Sequence, residues 1–145
     1  MAETTQTYAN HTRWHPPFHF FIAPLLLINF IYAAVQLYRF RDFDHAWLLV
    51  LAVVLLALNF VARINALRVQ DRLIRLEERL RYQQVLPAPL ARRAVDLPTG
   101  QIVALRFASD EELPGLVGQV LDGKLTKGDE IKRAVRQWRG DTLRV

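Results

Sequence analysis

Three histidines, His11, His15 and His19, are spaced by four residues. On one helix they would share a face able to ligate a zinc ion. Pro16 and Pro17 break any helix between the second and the third, and Glu3 is the nearest carboxylate. Trp14, Phe18 and Phe20 lie among the imidazoles, and that mixture of aromatic and amphipathic rings is the composition of a membrane–water boundary. His11, Trp14, His15, Phe18 and His19 therefore read as an interfacial anchor, and no metal site is expected.

Two acid pairs, Glu77–Glu78 and Asp110–Glu111, have the residue type for general acid–base work. Neither is accompanied by a histidine, a serine–lysine pair or a glycine-rich phosphate loop, and both fall where a solvated helix face or helix start favours charge. The chain has no cysteine, which excludes thiol chemistry, disulfides and thiolate zinc sites. The expectation is a protein without enzymatic activity, catalytic residue or cofactor.

The elements that carry these residues divide sharply by composition. Nearly all long apolar runs precede Arg63 and almost all charge follows it, within a chain of 145 residues and net charge +5. Residues 18–38 and 45–62 are predicted to be two spans, each about the 20 residues that cross a hydrocarbon core. Pro24 lies inside the first and is expected to kink it. Asp44 is the expected cap of the second. The connection between the spans is so short that they must be antiparallel neighbours. The polar start, Met1 to Thr12, has no basic cluster, and no small-residue cleavage site follows the first run. That run is therefore expected to remain as a span.

Asn29 and Asn59 are polar groups within the spans. Counted outward from the loop, Asn59 lies about 7 Å deeper, so the two are not expected to pair within one hairpin. Each is read as helix glue to a backbone carbonyl or another copy, with a pore lining as the alternative. No ionisable residue falls mid-span.

The second helix is predicted to continue past the membrane, because no glycine or proline interrupts 63–84 and opposite charges recur at helical spacing, as in Asp71 with Arg75 and Glu77 with Arg81. Val69, Leu73, Leu76 and Leu80, spaced four, three and four, form an oligomer seam about two heptads long. Ile64, Leu67 and Ile74 mark a second apolar face. Pro87 and Pro89 end the helix. Short helices follow: one from Thr99 or Gly100 through Phe107, one from a Ser109–Glu112 capping box to Leu121, and one from a Thr126–Asp129 cap through Trp138. Residues 102–107 read equally as a strand that lacks a partner. The apolar faces of this tail are too small for a core of their own, and are expected to pack on the long helix or on a second copy.

The predicted fold is thus an all-α membrane protein. It consists of an N-terminal interfacial segment (1–17), an antiparallel two-helix transmembrane hairpin (18–62), a cytoplasmic helical extension (63–84) and a small helical cytoplasmic tail (85–145). Arg63, Arg68, Arg72, Arg75, Arg79 and Arg81 follow the second span, so the positive-inside rule places the tail, and with it the N-terminus, in the cytoplasm. The same rule accounts for the basic charge without nucleic acid.

Four stretches carry a resemblance: YANHTRWHPPFHF, VQDRLIRLEERLR, QIVALRFASDEELP and EIKRAVRQWRGDTLRV. Together they resemble a domain-of-unknown-function family of small bacterial two-span inner-membrane proteins. The resemblance covers nearly the whole chain, and RFASDEELP is its most specific run. It implies a topology and a bacterial inner-membrane location, and it brings no activity and no catalytic residue. Within that run Ser109 is expected to cap a helix whose first turn carries Asp110, Glu111 and Glu112, leaving Arg106 either to brace the corner through a carboxylate or to face a partner.

The function expected is a membrane-anchored scaffold or adaptor, self-associating through its long helix. Its partners would be the lipid bilayer, further copies of itself and an unidentified membrane or cytoplasmic protein. The alternative is a homo-oligomeric channel or transporter subunit.

Overall fold

The computed structural model describes residues 6–11 and 14–141, and every regular element among them is helical. A π-helical segment, Pro17–Ile22, leads into α1 (Ala23–Phe40). α2 (Phe43–Val85), α3 (Ala88–Ala94), α4 (Thr99–Leu105), α5 (Leu113–Leu121) and α6 (Gly128–Ala134) follow. The described residues form two compact units, one of residues 14–67 and one of residues 6–11 with 68–141; α2 contributes to both.

In the first unit, two helices are long and apolar enough to cross a membrane, Pro17–Phe40 and the first part of Phe43–Val85. Pro24, the site of the expected kink, lies in the first turn of α1, directly after the π-helical segment. The wider i→i+5 turn makes room for a ring that would clash with an α-helical carbonyl and for its missing N–H. Arg41 ends α1 in the left-handed region (φ 52°) and donates its N–H to the Leu37 carbonyl at 2.9 Å. Asp42, rather than the expected Asp44, caps α2. Its Oδ1 accepts the backbone N–H of His45 at 2.8 Å, and that bond holds its carboxyl below the usual range. Asp44 sits inside the first turn. The guanidinium of Arg63 lies 5.5 Å from the centroid of the Phe18 ring, which brings the later part of this stretch of α2 beside the start of the first helix. Ala33 and Ala52 are buried while the large side chains around them are exposed.

In the second unit, prolines set the starts of the short helices. Pro87 and Pro98 precede α3 and α4 in extended conformation, and their carbonyls accept the first helical N–H groups. Tyr82 in the last turn of α2 and Leu86 just after it pack with Ala94, Ile102, Leu105, Leu113, Val117 and Ile131 in one apolar cluster. The tail therefore gains its core by covering one face of the long helix. At about 2–5 kcal/mol for each large buried aliphatic side chain, that shared core is what holds four helices of seven to nine residues, far too short to stand alone.

Helix ends in α5 and α6 differ from the sequence expectations, and at the start of α5 and the end of α6 a distant backbone group competes. α5 begins at Leu113, four residues after Ser109. Ser109 Oγ does accept the N–H of Glu112 at 3.3 Å, but its own N–H donates to the Gln137 carbonyl, so the reciprocal half of the box cannot form. The Glu112 carboxylate instead accepts the N–H groups of Arg136 and Gln137. α6 is capped by Glu130 rather than Asp129, its carboxylate accepting the N–H groups of Thr126 and Lys127 at 3.1 Å each. It stops at Ala134, short of Trp138, because Val135 turns extended and Arg139 then donates to the Phe107 carbonyl at 2.7 Å. Residues 99–105 are helical, and the extended pairing comes just after them, where Ala108 bridges Trp138.

Candidate functional site

α2 has two contrasting faces within the second unit. Ile74, Glu78, Arg81 and Tyr82 are buried. On the opposite side Val69, Leu73, Leu76 and Leu80 are 66%, 54%, 56% and 53% exposed. Four large apolar side chains in a row facing water lose the stabilisation that burial would give, about 1.5–3 kcal/mol each. The stripe is the exposed apolar face of an otherwise charged stretch of helix.

The buried face is ionic. Arg81 donates through Nε to Asp110 at 2.7 Å, through Nη1 to Glu78 at 3.1 Å and through Nη2 to the Ala108 carbonyl at 2.7 Å. It pairs with Glu78 instead of Glu77 because that is the side the tail covers. Arg139 reaches the other oxygen of Glu78 at 3.4 Å. Burial raises the Glu78 pKa; the guanidiniums of Arg81, Arg139 and Arg106 pull it part of the way back. The Tyr82 hydroxyl, buried beside this group without a hydrogen-bond partner among the described residues, is raised by burial first and by the Glu78 charge second. A cleft of about 270 Å³ borders the network, edged by Glu77, Glu78, Arg81, Arg106, Arg139 and Asp141. Its lining carries three acids and three guanidiniums, so its formal charges balance.

The RFASDEELP corner is engaged mostly within the chain. Arg106 is 5% exposed, donates Nε to Asp141 at 2.9 Å and Nη1 to the Val103 carbonyl at 2.6 Å, and stacks 4.1 Å from the Phe107 ring centroid. Asp110 takes Arg81, Ser109 takes Glu112, and Glu112 takes the backbone of residues 136–137. Glu111 is exposed and borders a shallow depression with Arg133 and Arg136.

The residues read as an interfacial anchor fall in both units. Trp14, His15, Phe18 and His19 precede or begin the first apolar helix, with Trp14 and Phe18 stacked edge-on against His19. His11 belongs to the tail. Its Nδ1 donates to the Tyr8 carbonyl at 2.6 Å, its ring lies 5.8 Å from both Phe107 and Trp138, and Lys132 Nζ stands 3.4 Å from Nε2. Gln6 joins the same contact by accepting the N–H of Asp141 at 2.8 Å. Residues 6–11 are thus a strap laid on the tail, which sequence reasoning missed because its aromatic residues have the composition of a bilayer interface.

Asn29 is exposed. Asn59 Nδ2 is buried with no hydrogen-bond partner among the described residues, as is Gln36 Oε1, a third polar group in the apolar helices.

A model of a family of unknown function, DUF6526, matches residues 1–145. The chain belongs to that family. No curated protein and no solved structure matches it. Membership in DUF6526 brings no activity, so function rests on the surfaces described above.

Proposed function

We propose that this DUF6526 chain is a membrane-anchored scaffold or adaptor, self-associating through α2 and presenting its tail to other proteins. Its two apolar helices insert as an antiparallel hairpin in a bacterial inner membrane, with both termini in the cytoplasm. The observation that carries the reading is the stripe Val69, Leu73, Leu76 and Leu80. The tail packs on the other side of the helix and leaves this face open. The topology has support independent of the arginine count. Residues 6–11 pack with residues 68–141 in one unit, so a chain crossing the bilayer between them must cross it an even number of times.

Leu76→Asp should dissociate the full-length protein in mild detergent. A carboxylate in a closed apolar seam costs several kcal/mol, so the association constant should fall roughly a hundredfold or more. Light scattering with detergent subtracted checks this, and a mutant of unchanged mass refutes association through the stripe. Topology is checked separately in this cysteine-free chain. With the outer membrane opened, a membrane-impermeant thiol reagent should label Phe43→Cys on whole cells, and Gln119→Cys only after lysis. The reverse pattern would invert the orientation.

A further inference from the structure

The charges that flank the open stripe say how its partner lies. In heptad terms Leu73 and Leu80 occupy one seam position and Val69 and Leu76 the other, which places Arg72 and Glu77 immediately beside the seam on opposite sides. Both are exposed, and neither side chain has a partner within the chain among the described residues. Arg79, the next residue on the Arg72 side, is already occupied, donating to the Val95 carbonyl through Nε and Nη2 at 3.2 and 2.7 Å.

In a parallel, in-register pair of helices the residue before one seam position faces the residue five further along the other chain. Here that sets Arg72 of each copy against Glu77 of the other, giving two opposite-charge rungs by symmetry. An antiparallel pair that packs both seam positions would set Arg72 against Arg79 and Glu77 against the neutral Gln70, so no flanking contact would be attractive. The width of the stripe limits the number of strands. Ile74, Glu78, Arg81 and Tyr82 are covered by the tail, and Arg75 on one side and Glu77 on the other separate them from the seam, so one face remains. A seam of two heptads is short, but copies held in the same bilayer meet at high effective concentration.

We infer that the occupant of this face is a second copy of the chain, parallel and in register, with Val69, Leu73, Leu76 and Leu80 packed against their own equivalents and Arg72 paired with Glu77 across the interface. The inference rests on the scaffold reading and specifies its geometry.

The test uses the full-length chain in membrane vesicles and in detergent. Leu76→Cys should cross-link to a dimer under mild oxidation, since equivalent seam positions meet only in a parallel register, whereas Asp71→Cys, on the outer side, should stay monomeric on a denaturing gel. Glu77→Arg and Arg72→Glu should each weaken association about tenfold, and the double swap should restore it to within about twofold of the parent. If the parent associates but position 76 does not cross-link, or Arg72→Glu strengthens association, the parallel seam is wrong while the scaffold reading stands. If the parent is a monomer in both settings, both fall.

Discussion

Arg81→Ala is expected to cost the tail about 3–5 kcal/mol, the largest loss from any single charged side chain in the protein. Arg81 holds three groups at once, and their surroundings decide which loss matters. Asp110 is 66% exposed, so its half of the contact is screened by water and contributes little. Glu78 is 5% exposed at the side chain, and the Ala108 carbonyl is buried beside it. Without the guanidinium, Glu78 keeps the Arg139 hydrogen bond at 3.4 Å and the more distant charge of Arg106, and the carbonyl loses its donor. Uncompensated buried charge and an orphaned acceptor are the two most expensive defects a small core can carry. The readout is thermal unfolding of the full-length chain in detergent, with limited proteolysis after α2 as a second probe. Arg72→Ala, on the open face, should stay within about 0.5 kcal/mol of the parent. An Arg81→Ala tail as protease-resistant as the parent would show that the ionic face is decoration.

Glu78→Gln separates charge from shape at the same place. Burial raises the Glu78 pKa above its ordinary value. A raised folded-state pKa means that the folded tail holds this proton more tightly than the unfolded chain does. Its contribution to stability is therefore fully present below the ordinary glutamate range and is lost as pH rises through the raised value. The parent should lose tail stability over that interval relative to Glu78→Gln. A difference that instead grows in favour of the parent as pH rises would mean that the guanidiniums outweigh desolvation.

Which parts of this molecule are legible in its sequence follows from where the determining contacts lie. The two apolar helices and the uninterrupted helix 63–84 are written in composition and in the lack of glycine and proline, both local properties. The spacing of Val69, Leu73, Leu76 and Leu80 is local too, and so is the contrast between that face and the one carrying Ile74. The helix ends are not local. Whether Ser109 or Leu113 begins α5 depends on the Gln137 carbonyl taking the Ser109 N–H from 28 residues away. Whether Arg81 meets Glu77 or Glu78 depends on which side of α2 the tail covers. An extended segment near Phe107 found no partner in the sequence because its partner, Trp138, sits in what reads as the last turn of a helix. His11 is the sharpest case. Its neighbours suit a membrane boundary, yet its ring lies against the Phe107–Trp138 pair, a contact spanning more than ninety residues of chain that no pattern of spacing reveals.

Phe107→Ala should destabilise the tail by about 3–5 kcal/mol, because this ring is where its separate pieces meet. It is fully buried, with Trp138 at 4.8 Å, His11 at 5.8 Å and the Arg106 guanidinium at 4.1 Å from its centroid. Those neighbours come from three parts of the chain: the extended segment after α6, the N-terminal strap and the end of α4. Truncation removes the apolar transfer energy of the ring and leaves a cavity that backbone pairing at Ala108 and Trp138 prevents from closing. It also takes the aromatic face from Arg106, whose Asp141 partner is held in turn by Gln6 of the strap. Phe107→Leu refills most of the volume and should cost about 1–1.5 kcal/mol, so the two variants distinguish packing from ring-specific contacts. Trp138 reports the event directly once Trp14 and Trp47 are replaced by phenylalanine. Its emission should shift to the red in Phe107→Ala at temperatures where the apolar helices remain folded by circular dichroism. If Phe107→Ala costs less than about 1 kcal/mol and Trp138 emission is unmoved, the strap and the α4 corner are held by their polar contacts alone, and the aromatic cluster is not what joins the two ends of the chain.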